Sequence, residues 1–131
     1  MSDDRSLVDV ERAHRWLSEQ TYWAHDRSLE MVCRSIEQSL TLGLYDPAGT
    51  QLGLCRWVTD GATFAWLADV FVEPEARGHG RGTFLVKTAV EHPTVTDLRL
   101  LLLGTRDAHG LYARFGFHSD FDPHQYMERR R

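Results

Sequence analysis

The sequence has few cysteines and no long apolar run, and both absences restrict what the protein can be. Cys33 and Cys55 are the only cysteines, and they form neither a CxxC pair nor a zinc-binding spacing. Both lie in apolar surroundings, so we expect two buried thiols in a reducing compartment. No stretch approaches the roughly 18 apolar residues that span a bilayer, and the N-terminus lacks a signal-peptide pattern. A cytoplasmic protein that does not enter the membrane is expected.

A large excess of one charge is also absent. The formal net charge is −4, which gives no general field for nucleic acid or an anionic membrane, so neither is an expected partner. The seven histidines show no ligand spacing, and no metal is expected. With 42% hydrophobic and 26% charged residues and no linker or repeat, the chain has the composition of one globular domain, residues 1–131.

Periodicity and turn residues predict the order of the elements. Asp9 and Ser28 are suited to cap two amphipathic helices that end near Glu19 and Gln38. Two further helices are predicted at residues 83–91 and 107–115, and strands are predicted at residues 6–8, 40–45, 51–59, 63–72, 98–103, 117–120 and 125–128. The order βααβββαβαββ, with one clear parallel crossover, indicates an α+β (mixed α/β) fold with a mostly antiparallel sheet.

A glycine-rich loop, Arg77-Gly78-His79-Gly80-Arg81-Gly82, follows the fourth predicted strand and opens an apolar helix. Alternating glycines let consecutive backbone N–H groups point into one concavity at a helix N-terminus, where the helix dipole also favours a phosphate. Thr83 and Phe84 stand where a Walker loop requires Lys and then Ser or Thr, and the GxGxG spacing differs from the dinucleotide fingerprint. The residues therefore predict a phosphate or pyrophosphate ligand of another kind.

The loop resembles the acetyl-CoA signature of the GCN5-related N-acetyltransferase (GNAT) superfamily, Gln/Arg-x-x-Gly-x-Gly/Ala. Further along, Leu111-Tyr112-Ala113-Arg114-Phe115-Gly116-Phe117 is similar to the family's Leu-Tyr-x-x-x-Gly-Phe segment. The two motifs lie in the family's order, and the resemblance covers residues 69–117. It implies a GNAT-like sheet whose fourth and fifth strands, predicted at residues 63–72 and 98–103, splay apart around pantetheine.

The resemblance also implies a reaction, the transfer of acetyl from acetyl-CoA to a primary amine of a small molecule or peptide by direct attack in a ternary complex. Tyr112 would protonate the leaving thiolate, and the backbone N–H of Val70 would stabilise the oxyanion. Thr105 stands where the family often has an asparagine that contacts pantetheine. The implied cofactor-binding residues are Val70, Phe71, Val72, Arg77, Gly78, His79, Gly80, Arg81, Gly82, Thr83, Thr105 and Tyr112.

The group that accepts the proton of the amine is the least defined part of the site. Polyamine-type members of the family carry Leu-Glu-Asp on the fourth strand, and here the glutamate is replaced in Leu67-Ala68-Asp69. Asp69 is a possible base, because a carboxylate in an otherwise apolar strand can abstract a proton through water. The alternatives left open are Glu73, Asp107 and His109.

Aromatic residues are the candidates for the acceptor pocket, although such clusters more often belong to a core. They are Tyr22, Trp23 and Trp66, with His25 nearby in sequence. A negative patch of Asp60, Asp69 and Glu73 would favour a cationic amine. Two other functions stay open: a non-catalytic acyl-CoA-binding or regulatory module on the same fold, and a phosphate-binding protein unrelated to CoA. A homodimer is also left open.

Overall fold

The computed structural model describes residues 1–131 and contains one four-stranded sheet with helices on both faces. The helices are α1 (Val10–Gln20), α2 (Leu29–Glu37), α3 (Arg81–Val90) and α4 (His109–Ala113). The strands are β1 (Leu40–Tyr45), β2 (Gln51–Thr59), β3 (Ala65–Val72) and β4 (Leu101–Leu103). Their order in the sheet is β1-β2-β3-β4, and only the β3–β4 pair is parallel. The predicted α+β class is confirmed.

Helices α1 and α2 cover one face of the sheet. Asp9 and Ser28 cap them as predicted, since their side chains accept hydrogen bonds from the backbone N–H groups of Arg12 and Met31. One stripe of each helix is apolar and packs on Leu54 and Phe71 of the sheet; the buried helical residues are Ala13, Trp16, Leu17, Val32 and Ile36. We call this side the α1/α2 face.

Helix α3 covers the opposite side, which we call the α3 face. Its residues Leu85, Val86 and Ala89 are fully buried against the sheet. The indole N–H of Trp57 on β2 donates to the backbone oxygen of Ala89 at 3.0 Å, so the largest buried side chain on this face also has its polar atom satisfied. Burial of these residues fixes the direction of α3 and therefore the place where it begins.

A β-bulge interrupts β3 at Asp69. Leu54 of β2 pairs with Phe71 and Arg56 pairs with Ala68, and Asp69 has a positive φ of 53°. Before the bulge Leu67 faces α3, whereas after it Phe71 faces α1 and α2. The extra residue therefore reverses the side-chain alternation of the strand. Aspartate is enriched among the side-chain-bearing residues found in this uncommon backbone conformation.

Strands β3 and β4 separate after a short paired stretch. The parallel register joins only Ala65 to Leu101, Trp66 to Leu102 and Leu67 to Leu103. Strand β4 then ends, and residues 68–72 have no strand beside them on that side. The splay that the sequence predicted between these two strands is confirmed, with β4 shorter than residues 98–103.

Three of the predicted strands are wrong. Arg5–Leu7 is a 3-10 helix capped by Asp4, so residues 6–8 are held by local hydrogen bonds, and only Ser2 bridges to β1. Residues 117–120 and 125–128 form no strand, because the segment instead contains the 3-10 helix Pro123–Gln125, which Asp122 caps. Helix α4 starts later than predicted, without a side-chain cap. No helix is long and apolar enough to cross a membrane.

The two thiols differ in their surroundings, and this predicts a loss of stability at alkaline pH. Cys55 is fully buried as expected, whereas Cys33 on α2 is only partly buried. Burial raises the pKa of the Cys55 thiol from 9.0 to about 12. Between these values the unfolded chain has lost a proton that the folded protein keeps, so the free energy of unfolding falls as pH rises.

We expect a fall of several kcal/mol between about pH 9 and pH 12, at about 1.4 kcal/mol per pKa unit. Urea unfolding at a series of pH values measures it. Cys55→Ala should flatten the slope, and the matched control Cys33→Ala should keep it. An unchanged slope in Cys55→Ala would contradict the assignment.

Candidate active site

The glycine loop exposes a row of backbone donors at the start of α3. Gly78 and Gly80 have positive φ values of 86° and 72°, a conformation that strains any side-chain-bearing residue. Gly80 is the N-cap of α3 and offers no side chain to the first turn. None of the backbone N–H groups of residues 78–83 donates to an acceptor inside the protein. Six consecutive donors are thus free for an anion.

Two arginines hold this loop in place. The Nε of Arg77 donates to the backbone oxygen of Val72 at 2.8 Å, and its guanidinium lies over the Phe71 ring at 5.2 Å. Arg81 reaches back from α3 and donates through Nη1 to the backbone oxygen of Ala76 at 2.8 Å. The two side chains therefore brace the loop against β3 and the turn before it, while His79 stays exposed.

The unpaired side of β3 faces the gap left by β4. The backbone N–H of Glu73 donates to Leu52 on β2 at 2.8 Å. Because N–H groups alternate in direction along an antiparallel strand, those of Val72 and Val70 point away from β2 and into the gap. The bulge at Asp69 immediately precedes Val70, so it sets which of these groups faces the gap.

Tyr112 lies on α4 and is 9% exposed. Burial raises the pKa of its hydroxyl to about 12, and Cys55, Tyr22 and Asp107 add to this effect through their charges. The hydroxyl is therefore protonated at neutral pH, and these three groups lie near it. Upstream of α4, the hydroxyl of Thr105 accepts from the backbone N–H of Ala108 at 3.0 Å and shapes the entry to the helix.

Asp69 does not sit in the apolar surroundings that the sequence suggested. Its side chain is 1% exposed, and Arg27 donates to its two oxygens from Nη1 at 2.9 and 2.7 Å. The Nε of Arg56 lies 2.7 Å from Oδ2, and the indole N–H of Trp23 donates to Oδ1 at 3.0 Å. Trp23 and Arg27 belong to the loop between α1 and α2, so Asp69 fastens that loop to the bulge.

The other three candidate bases differ in their contacts. Glu73 is paired with Arg12, whose Nη2 lies 2.8 and 2.9 Å from its two oxygens. Asp107 and His109 are exposed near the start of α4 and have no cationic or anionic partner. Of these, Asp107 is the group whose charge reaches Tyr112.

The predicted negative patch does not form. Asp60 lies in the turn before β3, where Thr63 donates to it from its hydroxyl and its backbone N–H and lowers its pKa. Asp69 and Glu73 lie at the bulge and beyond the far end of β3, and each is paired with arginine. The charge pattern therefore gives no support to a polycationic acceptor.

The aromatic candidates are exposed and lie beside the loop that follows β4. Tyr22, Trp23 and Trp66 are 45%, 41% and 42% exposed, so they are not part of the core. The Tyr22 hydroxyl accepts from the backbone N–H of Arg106 at 3.1 Å, and Trp66 packs near Gly104 of the same loop. The structure thus brings the α1–α2 loop to the β4–α4 loop.

Two open surface pockets lie outside this arrangement. One, of about 500 Å³, is polar and lies between the end of α2, the start of β1 and the turn that holds Asp60. A second, about 240 Å³, lies beside Glu73 and Arg81. Neither is lined by Val70 or Tyr112. The structure contains no group of three or more side chains that could hold a metal ion.

The match to known proteins agrees with this geometry. Residues 37–119, more than half of the chain, match the acetyltransferase (GNAT) domain family, and the match includes the glycine loop, the bulge and α4. The chain belongs to the GNAT acetyltransferase family. The resemblance inferred from the two sequence motifs is therefore confirmed.

Relatives of this GNAT protein extend over nearly its whole length. A Gibberella zeae protein whose name assigns it to the acetyltransferases is 30% identical in an alignment covering 87% of this chain and 75% of that protein. A GNAT-family structure from Xanthomonas campestris pv. campestris has 46% identity and a TM-score of 0.94, covering 98% of this chain and 90% of that one. An aminoglycoside N-acetyltransferase in complex with CoA shares the fold, with a TM-score of 0.63 and 17% identity over 92% and 88% of the two chains.

Because Asp69 pairs with two arginines, we expect removal of its charge to lower the free energy of unfolding. Asp69→Asn keeps the shape of the side chain but leaves Arg27 and Arg56 without a counter-charge in a largely buried place. We expect the free energy of unfolding to fall by about 3 kcal/mol, as measured by urea denaturation. The control is Asp26→Asn, because the Asp26 side chain is 92% exposed. Equal stability of the two variants would contradict the structural role of Asp69.

Proposed function

We propose that this protein is an acetyl-CoA-dependent N-acetyltransferase that acts on a primary amine by direct attack in a ternary complex. The observation that carries the proposal is the row of six unpartnered backbone N–H groups at residues 78–83, at the start of α3. A row of main-chain donors at a helix N-terminus suits a pyrophosphate better than a single carboxylate. The CoA complex of the aminoglycoside N-acetyltransferase, a protein of the same fold, supports CoA as the carrier.

The donor substrate would lie along the gap. Residues 78–83 would hold the pyrophosphate, with Arg77 and Arg81 bracing the loop behind them. The backbone groups of Val70 and Val72 that face the gap would bond the pantetheine arm, with Thr105 on the opposite side. Acetyl-CoA supplies the acetyl group as a thioester. The protein's part is to hold the thioester carbonyl beside Val70.

Two groups would carry the catalytic steps that follow amine attack. The backbone N–H of Val70 stabilises the oxyanion, and it needs no reorganisation because the bulge already fixes its direction. The hydroxyl of Tyr112 gives its proton to the departing sulfur. Its raised pKa of about 12 keeps it protonated at neutral pH, which a proton donor requires.

A group other than Asp69 would accept the proton that the ammonium group of the acceptor loses. The oxygens of Asp69 are occupied by two arginines and an indole N–H. We therefore assign Asp69 a structural role, in which it holds the bulge and the α1–α2 loop in place. Asp107 has no cationic partner, is exposed to water and lies near Tyr112. It is the carboxylate that we assign to proton removal through water.

Tyr112→Phe tests catalysis separately from binding. The variant loses only the proton-donating hydroxyl, so we expect kcat to fall by roughly 100-fold or more while CoA affinity changes little. CoA release in an amine screen and calorimetry with CoA measure the two quantities. Tyr126→Phe, at an exposed position far along the chain, is the control. If CoA binds but no amine is acetylated by the parent protein, the non-catalytic acyl-CoA-binding module is the better description.

Gly80→Ala tests the loop. A methyl group meets no neighbour there, but the positive φ costs roughly 1–2 kcal/mol, so the loop relaxes and its donors diverge. We expect the Kd for CoA to rise by about tenfold or more, as 1.4 kcal/mol corresponds to tenfold. Gly49→Ala carries the same backbone strain in the β1–β2 turn and should leave the Kd unchanged. The parent protein is also titrated with ATP. Tighter binding of ATP than of CoA would favour a phosphate-binding protein unrelated to CoA.

A further inference from the structure

We propose that the acceptor is an amine that also carries a carboxylate, as an α-amino acid does, and that Arg106 binds this carboxylate. The proposal rests on the proposed acetyl transfer and adds the chemical class of the acceptor. It departs from the cationic acceptor that a negative patch would have favoured.

The side chain of Arg106 is oriented so that it could bind a planar anion. Its guanidinium lies 3.7 Å from the centroid of the Tyr22 ring, and its backbone N–H donates to the Tyr22 hydroxyl at 3.1 Å. No carboxylate of the protein pairs with its side chain. Stacking on an aromatic ring orients the guanidinium and leaves its N–H edges free, the arrangement that binds a carboxylate through two parallel hydrogen bonds.

The position of Arg106 is that of an acceptor-binding residue. Tyr22, on which it stacks, belongs to the loop between α1 and α2, and Asp107, the carboxylate assigned to proton removal, follows it in the chain. Asp107 is exposed and has no cationic partner, and no carboxylate pairs with Arg106. The loop therefore offers one free cation and one free carboxylate at neighbouring positions, the two charges that would bind the carboxylate and the amine of an α-amino acid.

The other charged groups and the exposed aromatic surface also agree with an amino acid as the acceptor. The carboxylates that could attract a polyamine, Asp69 and Glu73, are neutralised by Arg27, Arg56 and Arg12. The side chain of Arg106 has no carboxylate partner, and that of Asp107 beside it in the chain has no cationic one. The exposed rings of Tyr22, Trp23 and Trp66 offer apolar surface next to Arg106, which suits an amino acid with an apolar side chain.

The experiment compares acceptors that differ only in the carboxylate. Acetylation of L-phenylalanine and L-leucine is measured against their amides, with phenethylamine and spermidine as further amines, at saturating acetyl-CoA. We expect kcat/KM to be at least about tenfold higher for the acids, mainly through a lower KM, since the amides cannot form charge-assisted hydrogen bonds with the guanidinium. Amidation lowers the pKa of the ammonium group and supplies more free amine, so chemical reactivity alone would favour the amides.

Variants then assign the effect to Arg106. Arg106→Gln should remove the preference for the acids and leave KM for acetyl-CoA unchanged, whereas Arg106→Lys should restore part of the preference. Arg99→Gln, at an exposed arginine before β4, is the matched control and should behave as the parent. Folding of each variant is checked by its unfolding midpoint.

The outcomes separate the two proposals. Amides acetylated as well as the acids, or Arg106→Gln raising KM for acetyl-CoA with both kinds of acceptor, would overturn the role of Arg106 while acetyl transfer stands. Acetylation of spermidine ahead of every amino acid would overturn it as well. If no amine in the panel is acetylated, the proposed function itself fails.

Discussion

The contact on which the rest of the structure depends is the buried carboxylate of Asp69 between Arg27 and Arg56. Burying one carboxylate costs several kcal/mol, and here two guanidinium groups and the indole of Trp23 offset that cost with charge-assisted hydrogen bonds. The three donors come from β2 and from the loop between α1 and α2. One side chain therefore connects a strand, its neighbour and the loop that reaches the acceptor side.

The bulge that contains Asp69 also determines which backbone groups of β3 face the gap. It turns Phe71 towards α1 and α2 and leaves the N–H of Val70 facing the space beyond the end of β4. The helix that begins at the glycine loop and the helix that carries Tyr112 are both anchored in the α3-face core. Local strain at one residue is thus held by packing over a much larger area.

The parts that could be predicted from sequence are those with local causes. The caps Asp9 and Ser28, the glycine loop and the Tyr112 segment depend on a few neighbouring residues. Asp9 and Ser28 cap their helices as predicted, and the glycine loop adopts positive φ angles at the start of α3. Arg27 and Arg56 lie 42 and 13 residues from Asp69, and no pattern in one sequence pairs them with it. The strands predicted at residues 117–120 and 125–128 failed because strand propensity depends on a neighbouring strand, and none pairs there.

The unpartnered donors of residues 78–83 have a consequence for the lifetime of the protein. Glycines in a left-handed loop lose more conformational freedom on folding than other residues, and here no hydrogen bond from the N–H groups of residues 78–83 offsets that loss. An anion that binds only the folded loop adds a free energy of RT ln(1 + [L]/Kd) to stability, about 2.7 kcal/mol at a hundredfold excess over Kd. The resistance of the chain to unfolding and proteolysis would therefore follow the supply of the ligand that it uses.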